Sequence, residues 1–474
     1  MLAPAPNPVD MAQALVKGYA TAVTDTGHQG GNADASFALL APGVPNTPAF
    51  VDYAYRAAHE VTVAAKQLLR DFYTAGSVER SYFDGCSNGG RMALIAAMHY
   101  PDDYDGIIAG DPATNERLIL SLLKGAKANL APPSARLPAT LLPIIDAAVY
   151  ASCDAVDGVT DGLIQNPALC AFDQQSLVCA SGNAANCLTQ DQADGLERYL
   201  RPLTNEEDRV LIPGFSVTDL SGGPANFELY ALGPNPPVDP TGPEPWADGP
   251  AARGWALGDT FLKYLVYRDP TFNTQTFPLS VEGVVDDEAL ALYDEGTQLA
   301  NADDPAALAA FVDKGGKAII YHGFGDHAIS PFLMIRVYET FATWYGGYEA
   351  LQEHVRLFMV PGMNHCGGGP GPNSFDTLTP LERWVEEGVA PDALIATHHV
   401  NNDPSLGVDR TMPLCQFPEE ARYRGTGDVN EAANWTCPHN RRLLAGGPAA
   451  VQAGLTGLGH DGDRDDEEHD RDSR

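Results

Sequence analysis

Ser87 stands in Gly85-Cys86-Ser87-Asn88-Gly89, a G-x-S-x-G segment with small residues on either side of a hydroxyl. Where such a segment joins a strand to a helix, the turn lifts the serine out of the backbone and presents its oxygen to a substrate carbonyl. Glycine tolerates the backbone angles of so sharp a turn, so both flanking glycines are expected to help it close. Ester cleavage through a serine also needs a base for its proton, an acid to hold that base, and N–H donors for the oxyanion. His365, in Met363-Asn364-His365-Cys366-Gly367, is the candidate base. Asp326, in Tyr321-His322-Gly323-Phe324-Gly325-Asp326-His327, is the candidate acid. The backbone N–H of Asn88, next after the nucleophile, is the candidate oxyanion donor. Each has a plainer reading. Ser87 could be an ordinary turn serine and Asp326 a turn carboxylate. Asp303, Asp304 and Asp313 are rival acids, and His322, His327 and His354 are rival bases.

Groups so far apart in sequence meet only if the fold brings strand ends together. Gly18–Thr24 is β-branched and bounded by turn residues, which predicts a strand. Phe50 to Tyr73 has helical periodicity and good helix formers. Val78 to Phe83 predicts the strand that ends at the serine turn, and Gly90 to Tyr100 the helix behind it. Asp105–Gly110 reads as a short buried strand. Lys317–His322 and Val355–Val360 resume the strand pattern, separated by a helical stretch from Phe332 to Thr343. Strands alternating with helices imply a mostly parallel sheet and an α/β class. Ser87, Asp326 and His365 then each follow a strand at one end of that sheet, and only Asp326 among the acids does so directly. The order serine, aspartate, histidine is that of α/β-hydrolases. The middle of the chain, about Ala113 to Asp304, is rich in Pro, Gly, Asp and aromatics and lacks regular pattern. It predicts an insertion over the carboxyl ends of the strands, where α/β sheets bind ligands. The expected organisation is a catalytic domain at 1–112 and 305–440, an inserted domain at 113–304, and a disordered acidic tail at 456–474.

Composition narrows the partners. The chain has 474 residues, 44% hydrophobic and 19% charged, enough for a sizeable core. A formal net charge of −34 repels nucleic acid phosphates and anionic membranes, so neither is expected as a partner. No uninterrupted apolar run reaches the roughly 18–20 residues of a membrane span. Met1 to Asp10 lacks the basic flank and apolar run of a signal peptide. Six of the eight cysteines fall in close couples, Cys153/Cys170, Cys179/Cys187 and Cys415/Cys437, leaving Cys86 and Cys366 far apart. Eight cysteines allow 105 connectivities, and buried free thiols are the alternative. None has C-x-x-C spacing, which favours disulfides in an exported, secreted or periplasmic protein.

Residues 85–91 (GCSNGGR), the Tyr321–Pro331 segment, the Asn364-His365-Cys366 triplet and the cysteine couples together resemble the tannase and feruloyl esterase family. The resemblance runs from about Asp10 to Cys437. It implies a Ser87–His365–Asp326 triad with Cys86 bonded to Cys366 beside it, and it implies that the insertion is a lid. A second matching motif is Cys153-Asp154-Ala155-Val156-Asp157-Gly158-Val159-Thr160-Asp161-Gly162-Leu163. Three carboxylates broken by glycines can wrap a hard cation, although two Asp-Gly turns would read the same way. Carried over by position, the calcium ligands would be the side chains of Asp154, Asp157 and Asp161 and the carbonyls of Val159 and Leu163. A Cys153–Cys170 bridge would close this loop, and the ion would be structural.

One departure stands out. The α/β-hydrolase pattern places further strands ahead of the serine turn, and a loop after one of them carries the second oxyanion donor. This chain starts too late to contain them, and His28-Gln29-Gly30-Gly31 follows the wrong strand to replace that loop. Truncation at the amino end, with weak activity, is the expectation. The aromatics of Trp246 to Tyr267 (Trp255, Phe261, Tyr264, Tyr267) read as insertion core before substrate wall. The sequence therefore predicts a serine carboxylic ester hydrolase for esters of phenolic or other aromatic acids: tannase, feruloyl or chlorogenate esterase, or terephthalate half-ester hydrolase. A catalytically impaired paralogue that keeps aromatic-ligand binding is the rival from another class, and a peptidase on the same fold is a third reading.

Overall fold

The computed structural model describes residues 8–73, 77–180, 186–223 and 226–439; the acidic segment 456–474 lies outside them. At its centre are four parallel strands, β1 (Tyr82–Cys86), β2 (Gly106–Gly110), β3 (Lys317–Gly323) and β4 (Val355–Val360), in that spatial order. Strand side chains alternate between faces, and burial follows that rule. Ile107, Ile320 and Leu357 join one hydrophobic cluster, while Ile108, Ile319 and Phe358 join another. The first face is covered by α2 (Asn88–His99) and α8 (Pro331–Tyr345), through residues such as Leu94, Ile95 and Ile335. The second is covered by Leu381 and Trp384 of α9 (Leu378–Glu387). Burial on both faces explains why β2, β3 and β4 read as apolar runs and not as alternation, whereas β1, at the sheet's edge, is part-buried with Asp84 exposed.

The helix expected over residues 50–73 is present, running as Thr47–Val51, a π turn at Asp52–Arg56, and then α1 (Ala57–Tyr73). The predicted strand at Gly18–Thr24 is absent. That segment pairs with no strand among the described residues; Tyr19 packs edge-on against Tyr82 and bonds Glu382, and the preceding Lys17 pairs with Asp376 at 3.0 Å. A β-branched run becomes a strand only when a neighbour satisfies its backbone groups. A hairpin of β5 (Ala393–His399) and β6 (Val408–Cys415), which the sequence reading did not assign, packs beside α9.

The segment between β2 and β3 is far more regular than its composition suggested. It holds α3 (Leu118–Ala128), α4 (Leu142–Cys153), α5 (Gln190–Leu200), α6 (Arg253–Phe261) and α7 (Asp287–Thr297), with a small three-stranded sheet. Every residue of α3 is buried, including Ser121, Lys124 and Lys127, which stand three apart along one side. Its Lys124 donates to the carbonyls of Tyr199 and Arg201, and Lys127 to that of Leu279. Burial pushes these two amines down to about 7 and about 8. The continuous helical run Ala139–Asp157 is long and apolar enough by composition to cross a membrane, which the sequence reading did not register. Its Asp146, however, accepts the backbone N–H groups of Leu220 and Ser221 inside the protein. Four disulfides join Cys86–Cys366, Cys153–Cys170, Cys179–Cys187 and Cys415–Cys437, with no free cysteine among the described residues.

Candidate active site

Ser87 closes β1 and precedes α2 with φ 64° and ψ −120°. A non-glycine residue at positive φ is a strained conformation, and here the ladder holds it in place. Its N–H donates to the carbonyl of Gly110 at 2.9 Å, and its carbonyl accepts Arg91 N–H at 3.0 Å. The glycines divide the labour differently from the motif. A Cβ at Gly85 would lie 2.6 Å from the carbonyl carbon of Gly89, and one at Gly90 2.4 Å from the Gly110 oxygen, whereas one at Gly89 meets nothing within 4 Å. The turn therefore closes on Gly85, and α2 seats on β2 through Gly90. Asn88 is the first residue of α2, where a backbone N–H has no acceptor in its own helix. Its side chain accepts from Arg91 Nε at 2.8 Å.

Asp326 and His365 are brought together. Asp326 follows β3 and is fully buried. Its Oδ1 accepts the N–H groups of Ala328 (2.7 Å) and Ile329 (2.9 Å), and its Oδ2 lies 2.8 Å from His365 Nδ1. Burial alone would raise this carboxyl, but the His365 charge and the hydrogen bonds from His322 and His365 outweigh it and hold Asp326 well below the usual carboxylate range. The ionised acid can only accept, so Nδ1 carries the proton and Nε2 offers a lone pair. That Nε2 is buried and has no hydrogen-bond partner among the described residues. His365 and Ser87 line one cavity, whose other walls include Leu118, Ile119, Tyr230 and Leu257. The Cys86–Cys366 disulfide, with Cα atoms 6.0 Å apart, joins the neighbours of the two.

The rivals sit elsewhere or differently. His327 is buried between Thr218 O (2.9 Å) and the Tyr199 hydroxyl (3.1 Å), and burial pushes it down to about 4. His354 bonds the Gly316 carbonyl near the start of β3. Asp303 accepts from Asn115, and Asp304 caps Ala306. His322 is different: its Nε2 is 3.3 Å from Asp326 Oδ2 and 3.7 Å from Asp111 Oδ1. Asp111 went unassigned in the sequence, although it directly follows β2, the same signal that selected Asp326. Of the aromatic segment, Trp255 and Phe261 are core and Tyr267 stacks on Phe272; the cavity wall from α6 is Leu257.

In the Cys153–Cys170 loop, Asp154 accepts from Asp161 N–H (3.2 Å) and Gly162 N–H (3.0 Å). Asp157 accepts from Val159 N–H (3.0 Å) and Gln165 N–H (3.3 Å). Asp161 Oδ2 is buried with no hydrogen bond, 3.3 Å from Arg410 Nη1. Burial pushes Asp157 up to about 6 and raises Asp161 as well. The donors are all oxygen, as a hard cation requires, but among the described residues the three carboxylates do not gather within 4.8 Å of one another, and the Arg410 guanidinium faces Asp161.

A serine on a strained strand–helix turn after β1, with an aspartate after β3 and a histidine after β4 of one parallel sheet, is the arrangement of an α/β-hydrolase. Within that class the chain belongs to the tannase and feruloyl esterase family, whose model matches residues 3–438. It is 34% identical over 464 residues to an uncharacterised esterase of Xanthomonas campestris, covering 90% of this chain and 76% of the relative. It is 32% identical over 468 residues to the mono(2-hydroxyethyl) terephthalate hydrolase of Piscinibacter sakaiensis, covering 90% and 75%. Among solved structures, feruloyl esterase B from Aspergillus oryzae superposes with a TM-score of 0.75 at 26% identity, covering 90% and 81%. The chain is a carboxylic ester hydrolase of this type.

Proposed function

We propose that this chain hydrolyses esters of phenolic or other aromatic acids through an acyl-enzyme on Ser87. The observation that carries the reading is His365 Nε2, buried and unpartnered in the cavity it shares with Ser87 while Nδ1 is held by Asp326. His365 takes the Ser87 proton as Oγ attacks the ester carbonyl, and the Asn88 N–H stabilises the oxyanion. The imidazolium returns that proton to the departing alcohol, leaving the acyl group on Ser87. Water, deprotonated by the same nitrogen, then releases the acid. Asp326 orients the ring and balances its transient charge.

Aromatic acyl choice rests on the relatives named for feruloyl and terephthalate esters and on an apolar cavity wall with one aromatic side, Tyr230. That wall is drawn largely from residues 113–304, which act as the lid. By the family resemblance, a structural calcium ion would be held by Asp154, Asp157 and Asp161 with the carbonyls of Val159 and Leu163. Four disulfides favour an oxidising compartment, outside the cell or in the periplasm. The test is a burst of p-nitrophenol from p-nitrophenyl esters, with Ser87→Ala as control, followed by methyl ferulate, methyl gallate and the terephthalate half-ester. Activity surviving in Ser87→Ala rejects the mechanism. A preference for short aliphatic acyl groups over all three aromatic ones rejects the substrate class.

A further inference from the structure

Behind the triad lies a second carboxylate and a second imidazole, both fully buried. Asp111 follows β2 at φ +36°. Its N–H donates to Tyr321 O at 2.8 Å. One carboxylate oxygen accepts Gly323 N–H at 2.8 Å, at the end of β3, and the other accepts Cys366 N–H at 2.9 Å, next to His365. Oxygens of Asp111 and Asp326 and a ring nitrogen of His365 lie within 4.8 Å of one another. His322 Nε2 faces three oxygens: Ile329 O at 3.1 Å, Asp326 Oδ2 at 3.3 Å and Asp111 Oδ1 at 3.7 Å. A nitrogen surrounded by acceptors carries its proton.

We propose that Asp111 is a positioning residue for the hydrolysis proposed above, fixing the His365 loop through Cys366 and, with His322, supplying the charge against which His365 becomes an imidazolium. The balance is simple. Both carboxylates favour the charge that His365 gains as Ser87 attacks, and a proton on His322 opposes it; His322 donates through Nε2, its Nδ1 being buried with no hydrogen-bond partner among the described residues. Burial disfavours an imidazolium at His322, but Asp111 and Asp326 outweigh it and raise that ring above its ordinary value. Burial and the like charge of Asp326 push Asp111 up, opposed by His322 and His365. Other titratable groups near Asp326 and His365 are Tyr199, Tyr230 with Arg253 bonded to it, His327, and Asp219 beside Gly325. Burial holds both phenols protonated and the third imidazole uncharged at neutral pH, and the two carboxylates, with His322 facing both, are the groups placed at the His365 ring.

The two partners act on His365 with opposite sign. Removing the Asp111 charge in Asp111→Asn weakens the imidazolium and moves the His365 titration to lower pH by about one unit, since opposite charges at 4–6 Å shift a pKa by roughly 1–3 units. Removing the His322 charge in His322→Gln moves it to higher pH. The readouts are the acid limb of kcat/KM for a p-nitrophenyl ester and the imidazole NMR titration of ¹⁵N-histidine protein, assigned with His365→Gln. Asp111→Asn should also lower kcat 10- to 100-fold with KM held within about twofold. A limb that stays put in both variants, or moves the same way in both, overturns the inference even when the wild type is active and Ser87→Ala is dead. Should one variant fail to fold, the sign of the other decides. The NMR titration needs no turnover, so an inactive wild type would count against the hydrolytic reading alone.

Discussion

Breaking the bridge beside Ser87 and His365 should do two separable things. Cys86 and Cys366 are 280 residues apart. In the loop-entropy treatment, closing a loop of that length withdraws about 5–6 kcal/mol of freedom from the unfolded chain. That figure is an upper value, because Cys153–Cys170 and Cys179–Cys187 already shorten the enclosed loop. For a chain of this size such a loss lowers the thermal midpoint by about 6 °C, read at a fixed scan rate because large disulfide proteins unfold irreversibly. The second effect is local. Both cysteines adjoin reacting residues, and a displacement of about 1 Å between nucleophile and base costs on the order of 10²-fold in rate. The assay compares Cys86→Ala/Cys366→Ala with Cys415→Ala/Cys437→Ala, a bridge remote from Ser87, by calorimetry and by kcat on a p-nitrophenyl ester. The active-site pair should lose both midpoint and kcat, and the remote pair only midpoint. Wild-type kcat in the first double variant, measured below its melting range, would refute the pinning argument and leave the bridge a plain staple.

Three further outcomes follow from the geometry. Gly89→Ala should keep soluble yield and activity while Gly90→Ala loses both, since a Cβ at Gly90 would sit 2.4 Å from a backbone oxygen and one at Gly89 touches nothing; equal behaviour of the two in expression and kcat would contradict this. Arg91→Met should destabilise the fold by about 3–5 kcal/mol in denaturant titration, because it strands the carbonyls of Tyr53, Ala54 and Ala300 and the buried Glu116 that the guanidinium faces; a change below 1 kcal/mol would show those groups finding water. In the Asp154–Asp161 loop the raised Asp157 carboxyl, at about 6, contributes stability present below the unfolded carboxylate range and lost as pH climbs through about 6. Metal-free protein should therefore melt lower at pH 7 than at pH 5 on account of this loop, and millimolar calcium should raise the midpoint more at pH 7. A calcium shift that is equal at both pH values, or that persists in Asp157→Asn, would remove the ion from this loop.

What the sequence revealed depended on whether a residue's role was local or set by distant neighbours. Asp326 and His365 are visible because each follows a strand whose apolar run reflects burial on both faces, and Ser87 because its motif closes the part-buried β1. Asp111 obeys the same rule after Gly110 and was overlooked because no motif surrounds it. The helices of residues 113–304 lie among Pro, Gly and Asp that mask them, although α3 carries a stripe of Ser121, Lys124 and Lys127 against Leu and Ile. At Gly18–Thr24 the propensity was real but no partner strand lies alongside, and propensity without a ladder leaves an extended chain. The β5–β6 hairpin had its signal in Asn401 and Asn402, which turn at φ 54° and 57°, residues suited to left-handed backbone.

The loop that carries His365 explains why so many ties converge there. Gly362, Gly367, Gly368 and Gly369 all take positive φ, as does Cys366, and the approach is so close that a Cβ at Gly369 would lie 2.2 Å from the Gly362 oxygen. A glycine-rich loop can follow this path, but it has more freedom to lose than any other composition, and left alone it would not hold an imidazole within tenths of an ångström. The restraint comes from three directions. The disulfide ties Cys366 to the serine turn, and Asp111 ties its N–H to the end of β2. Asn226, from the insertion, bonds both the Gly325 carbonyl and the Asn364 side chain, joining the acid loop to the base loop. The insertion is thus part of the frame that places the base as well as a wall of the cavity, so substitutions at Asn226 should register in kcat before they register in the affinity for any ester.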